Sequence, residues 1–362
     1  MEGPVDWALA ERVAVRVAGR EPLAASYHYD RLAADFDELT AQAEELVTRA
    51  TGLVSAAGPA RARVVDRSDW VRANLASFGR LLRPLTDRMV QRQEDRKGPK
   101  VMVGSVSRRA AALEVGVLLG WMGTRVLGQY DLLIIEDEDP DDQDLVYYVG
   151  PNVLALEKRF GFPPREFRLW LALHEVTHRA QFTGVPWLRA HFLSLVNQTL
   201  EAVDPDPKRF LDALARVVED LRSGHNPLDE GGLATLLASP DQRDLFGRIG
   251  GLMSLLEGHG DVTMDRAGEG HVPSAARFSR ALKERRRQGG SVAKLAQKAV
   301  GLDAKMKQYA QGEAFIAYVE RHGGADVLDA AWRGPDLGQR GQPLRAPQEW
   351  LDRVRLSEEL VG

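Results

Sequence analysis

The stretch LALHEVTHRAQF, residues 171–182, sets His174, Glu175 and His178 at positions one, two and five of a short run. Residues four apart on a helix project from one face about one turn from each other, so His174 and His178 can turn two imidazoles onto a single divalent ion. Glu175 is rotated by about 100° from His174. Its carboxylate then stands beside the ion without being forced to ligate it, placed to take a proton from water activated there. Zinc can lower the pKa of such a water from about 15.7 to about 7. Hydrolysis at neutral pH is therefore the chemistry this spacing points to. With 8 His in the chain, three fixed positions arise by chance in roughly one of a hundred chains of this length, so the context matters. EFRLWLALHEVTHRAQF has the helical pattern the chemistry demands, and its apolar LWLAL turn predicts a buried floor beneath His174.

A catalytic zinc usually keeps three protein ligands and one open position. An extension with Gly at 181 and a third His at 184 is excluded, because the chain has Gln181 and Gly184. A carboxylate from a later helix is the other solution, and LLEGHGDVTMD, residues 255–265, offers one. Glu257 and Asp261 are four apart and share a helical face. Glu257 could complete the site while Asp261 accepts a hydrogen bond from a ligand imidazole and fixes its tautomer. His259 competes as an alternative ligand or as a pocket residue. It lies about 200° from Glu257 on a regular helix, although Gly258 and Gly260 weaken that regularity. Taken alone, Glu257 and Asp261 would be ordinary surface carboxylates. The apolar IGGLMSLL run before them predicts burial, where an unpaired carboxylate is costly.

The elements that must position these groups are mostly helices. Leu32, Phe36, Leu39, Ala43 and Leu46 recur at helical spacing between Asp30 and Ala50. SDWVRANLASFGRLLRPLTDRMVQRQ repeats the pattern from Ser68 and Asp69 as N-caps. Ser107–Leu127 reads as a buried helix whose Gly116 and Gly120 suit close helix packing. After Pro164 the expected helices are Arg165–Phe182, Pro186–Leu200, Lys208–Arg222, Pro240 to about Asp265, Ser274–Arg287 and Leu302–His322. Two β-like runs, YDLLIIE and DLVYYVG, are separated by the acidic EDEDPDDQD, which lacks the glycine and ligand spacing of a calcium loop and reads as a solvated turn. The fold class is mainly α (α+β), with a small β-sheet next to the helix that carries His174 and His178. The polar DRKGPK stretch ending at Lys100 divides a helical region, 1–100, from a metallohydrolase region, 101–362, though the two could be one continuous domain.

The absence of cysteine rules out disulfides, thiolate nucleophiles and Cys-ligated metal, so any metal must rest on His and carboxylates. A formal net charge of -4 gives no general attraction to nucleic acid or anionic membrane. Glu2, Asp6 and Glu11 interrupt the N-terminus before any apolar core of signal-peptide length. The most apolar stretch, AALEVGVLLGWMG, is short and broken by Glu114. A cytoplasmic protein, without nucleic-acid or membrane partners, is expected.

The same motifs carry a family resemblance that runs through nearly the whole chain. With DRSDWVRANLASFGRLLRPL, WLALHEVTHRAQFTGVPWLRAHF, LLEGHGDVTMD, KMKQYAQGEAFIAYV and PQEWLDRV, the sequence resembles the zincin-like metallopeptidases common in actinobacteria and associated with deazaflavin-coenzyme biosynthesis. The resemblance implies a mainly helical zincin fold, Zn2+ as cofactor, His174, His178 and Glu257 as ligands, and Glu175 as catalytic base. The leading expectation is a zinc-dependent hydrolase, a metallopeptidase acting on a peptide or protein, with the DLVYYVG strand flanking the cleft as a sheet edge. The competing one is a zinc-stabilised, non-catalytic scaffold that binds a protein partner. The residues specify neither the cleavage preference nor the oligomeric state.

Overall fold

Leu32, Phe36, Leu39, Ala43, Leu46 and Val47 line one face of a single helix, Leu32–Thr51, and all are buried. That stripe shows how most of the chain folds, by helices hiding apolar faces at a period of 3.6 residues. The computed structural model describes residues 5–21, 23, 26–84, 86–88, 91, 105–130, 144–202, 240–287, 302–335 and 346–359. In chain order the elements are α1 (Trp7–Ala18), α2 (Tyr27–Asp30), α3 (Leu32–Thr51), β1 (Arg61–Val65), α4 (Arg67–Leu81), α5 (Ser105–Gly123), β2 (Gly128–Tyr130), β3 (Leu145–Val149), α6 (Gly150–Phe160) and α7 (Pro164–Gly184). There follow α8 (Leu188–Ala202), α9 (Pro240–Ala267), α10 (Ala275–Arg287), α11 (Leu302–Gly323), a 3-10 helix (Ala325–Trp332) and α12 (Pro347–Glu359).

The fold is mostly helical with a small sheet, as its sequence pattern predicts. Two compact units are formed, one from residues 1–184 and 264–283, the other from 185–263 and 284–362. The expected helix at Lys208–Arg222, the division ending at Lys100 and the acidic run up to Gln143 lie outside the described residues. Among those described, no helix is long and apolar enough to cross a membrane.

In the first unit, α1 packs along α5 at the two glycines of GVLLG. A Cβ on Gly116 would fall 2.7 Å from the Ala10 carbonyl oxygen, and one on Gly120 would run into that of Ala14. Glycine thus lets two helix backbones touch, which is close packing within the chain. The start of α4 differs from expectation. Its N-cap is Asp66, whose carboxylate accepts the Asp69 N–H at 2.7 Å, and the helix therefore begins one residue before Ser68.

The three described strands run in the order β1-β3-β2. β1 pairs parallel with β3, and β2 pairs antiparallel with it, Gly128 opposite Tyr148 and Tyr130 opposite Val146. The β3 strand is thus central, with all five residues buried. This corrects the expectation that DLVYYVG presents a sheet edge, since its backbone groups are engaged on both sides. β1, RARVV, gives a weak sequence signal because Arg61 and Arg63 face water and only Val65 is buried.

A buried guanidinium group helps to set the helix α7 in place. Arg168 donates to both Glu157 oxygens at 2.8 Å and also pairs with Asp35, so it ties α7 to α6 and α3. Phe162, Phe167, Trp170 and Phe278 pack edge to face or tilted around the start of α7. Burying each such side chain contributes on the order of 1.5–3 kcal/mol. In the second unit, Leu255 of α9 packs with Phe315, Ile316, Val319, Trp350 and Leu351. Gly312 of α11 lies directly against the backbone at Ser254. That close approach fixes the stretch of α9 just before Glu257.

Candidate metal centre

His174 and His178 are half-buried one turn apart on α7. Their Nε2 atoms stand 3.3 Å apart, with the rings at 85° to each other. Two nitrogens at about 2.0–2.1 Å from a tetrahedrally coordinated zinc are about 3.3 Å apart, so the pair is already spaced for one ion. On the far side of the His178 ring, Nδ1 is 3.0 Å from Oε1 of Gln181, a side chain with no exposed surface.

Glu175 faces the sheet and is buried, the residue being 7% exposed. The Tyr130 backbone N–H donates to its Oε2 at 3.1 Å. Gly128 lies directly over it, for a Cβ there would be 2.7 Å from Glu175 Cγ and 2.8 Å from Oε1. The short strand β2 is therefore the seat of this carboxylate. β2 is itself anchored on both flanks. Gln129 accepts from the Trp70 indole N–H at 2.8 Å and donates to Asn74 Oδ1 at 3.2 Å. The Tyr130 hydroxyl donates to Asp144 at 3.1 Å.

Asp144 adopts a left-handed backbone, φ 55°, and Arg179 holds it there. This guanidinium, 1% exposed, donates Nε and Nη2 to Asp144 Oδ2 at 3.0 and 2.6 Å. It also donates Nη1 to Glu44 at 2.6 Å and Nη2 to the Gly58 carbonyl at 2.7 Å. Nearby, the fully buried Tyr148 hydroxyl pairs with Thr40 at 2.9 Å. Burial pushes its phenol pKa well up, the Thr40 contact opposes this, and the negative charge of Glu175 adds to it. Tyr148 is consequently a neutral neighbour of Glu175 at any physiological pH.

On α9, Glu257 is buried at 8% exposure. Two imidazole nitrogens with one carboxylate oxygen would be a donor set that suits zinc and leaves a fourth position for a reactant. His259 is buried with its ring edge-on to Trp332, centroids 4.9 Å apart. Asp261 is half-buried one turn beyond Glu257.

Four contributors stand outside the sequence motif. Gly128 and the Tyr130 N–H were missed because a glycine at the head of a three-residue strand has no periodic signal. Gln181 was noted only for what it is not. Its spacing three residues after His178, which puts the two on one helix face, is the available clue. Arg179, an arginine on a long helix, carries no sequence sign that it is almost wholly buried.

A half-buried histidine pair one turn apart on a long helix, with a glutamate held beside it by a small sheet, is an arrangement able to hold a metal ion. The chain belongs to the zincin-like metallopeptidase family, whose model matches residues 5–351. It is also similar to a protein from Chloroflexus aurantiacus, described from its crystal structure as a candidate hydrolase with a novel fold. The two share 28% identity at a TM-score of 0.70, over 97% of this chain and 99% of that one. No protein of curated function matches. Family membership points to a zinc-dependent hydrolase.

Proposed function

We propose that this protein hydrolyses peptide bonds, with zinc held by His174, His178 and Glu257 and with Glu175 as general base. The observation that carries the reading is the 3.3 Å separation of the two Nε2 atoms on one helix face. When bound, zinc supplies a Lewis acid that polarises the scissile carbonyl and brings the pKa of water to about 7.

The remaining steps belong to the chain's own residues. Glu175 takes the proton of the attacking water on its carboxylate, and the water oxygen bonds to the carbonyl carbon. It then delivers that proton to the amide nitrogen, so the C–N bond breaks and a neutral amine leaves. The Tyr130 N–H holds Oε2 throughout, which stops the carboxylate from turning away. Asp261 is suited to orient a ligand imidazole, and His259 to line the pocket.

The proposal extends to a peptide or protein partner, a cytoplasmic setting, and no nucleic-acid or membrane partner. It rests there on the net charge of -4 and on the resemblance. An actinobacterial source and a link to deazaflavin-coenzyme biosynthesis rest on the resemblance alone.

Glu175→Gln tests the reading against a non-catalytic scaffold. The variant should keep its zinc and lose turnover of a peptide library, assayed by mass spectrometry. A wild type that turns over no peptide while both proteins bind zinc equally would favour the scaffold.

A further inference from the structure

We infer that Gln181 is a positioning residue for the metal centre: its side-chain carbonyl receives the Nδ1–H of His178 and so commits the Nε2 lone pair of that ring to the ion. The inference rests on the metal-site reading above.

A neutral imidazole carries one proton, and the nitrogen that carries it cannot ligate. The Nε2 atoms of His174 and His178 converge at 3.3 Å, so a shared ion needs a lone pair on both. The His178 proton must then sit on Nδ1, where it needs an acceptor. Oε1 of Gln181 is 3.0 Å away. Gln181 is fully buried, and a buried amide is kept by the hydrogen bonds it makes. Its place three residues on from His178 puts both side chains on one helix face.

The choice of an amide has its own consequence. Metal-ligating histidines often donate to a carboxylate, which raises the basicity of the ring and adds negative charge near the metal. Gln181 fixes the same tautomer without that charge. Two neutral imidazoles and the single Glu257 carboxylate then leave a bound Zn2+ with a net positive charge. This combination holds the ring firmly while keeping the ion electrophilic. The opposite amide orientation, with the NH2 group facing Nδ1, would place the proton on Nε2 and close the ring to metal.

The test is zinc affinity, read by competition against a chromogenic chelator, for wild type, Gln181→Leu and Gln181→Glu. Gln181→Leu keeps the bulk and removes the acceptor, and should weaken zinc binding about 10- to 100-fold. Gln181→Glu restores an acceptor and should bind zinc at least as tightly as wild type. A purely structural role would lower the melting temperature of the chelator-treated protein in both variants and leave zinc affinity unmoved. Equal affinity in wild type and Gln181→Leu overturns the inference while the metal site stands. Should Gln181→Leu fail to fold, weaker zinc binding by Gln181→Glu than by wild type overturns it instead. A wild type that binds no zinc removes the metal site itself, and the inference with it.

Discussion

Gly128 lies so close to Glu175 that a Cβ at position 128 would stand 2.7 Å from Cγ and 2.8 Å from Oε1 of the glutamate. No side chain fits there unless the carboxylate moves. Gly128→Ala is thus expected to push Glu175 off its seat and leave the histidine pair in place. A displacement of about 1 Å can cost on the order of 100-fold in rate. The expected result is unchanged zinc stoichiometry with a peptide turnover reduced to that extent. Full activity in the variant would show that the carboxylate does not act from this position.

Arg179 is the keystone of the route from α7 to the strand that seats Glu175. It satisfies Asp144 and Glu44 together, and at 1% exposure it has little water to fall back on. Arg179→Met should leave both carboxylates without their main partner. Breaking a buried pair costs about 3–5 kcal/mol, and the partial exposure of both acids points to the lower end. Urea denaturation of the full chain measures it. A loss below about 1 kcal/mol would mean that the network is solvent-screened like a surface pair.

The contact between α1 and α5 gives a prediction far from the site. Gly120→Leu forces a side chain into the Ala14 carbonyl, a backbone atom that cannot swing aside. Overpacking of this kind typically costs about 1–3 kcal/mol. The melting temperature should fall, and zinc stoichiometry should stay at the wild-type value. An unchanged melting temperature would argue that the two helices are not in contact in solution.

Tyr29 supplies a pH dependence. Burial first, and then the charges of Asp66, Glu21 and Asp69, push its phenol from the usual 10.0 up to about 12. The folded state therefore holds this proton more tightly than the unfolded chain does. The resulting stability is fully present below pH about 10 and is lost as pH rises toward about 12. Comparison of wild type with Tyr29→Phe across that window should show a steeper alkaline loss in wild type. Parallel curves would contradict the assignment.

The sequence carried most of the helical frame because long amphipathic segments announce themselves by period. The helices around residues 32–51, 164–184 and 302–323 fall within a few residues of their expected bounds. The sheet was less legible. The edge assigned to DLVYYVG failed because an apolar run such as LVYYV suits a strand paired on both sides as well as one paired on a single side. β1 was missed because two arginines conceal its alternation. At the site, the convergence of His174 and His178 on one helix face follows from local spacing alone. The contacts of Gly128 and Arg179 were not, because they join residues 35 or more positions apart, and such distances leave no trace in a helical or strand period.

Metal stoichiometry tests the central claim most directly. Protein purified without chelators or a His-tag, analysed by mass spectrometry, should carry about one zinc per chain. His174→Ala and Glu257→Ala should each lose it, with melting temperatures resembling that of the chelator-treated wild type. A wild type that takes up no zinc even when it is supplied, or a Glu257→Ala variant that retains it at full affinity, would contradict the proposed His174, His178 and Glu257 site.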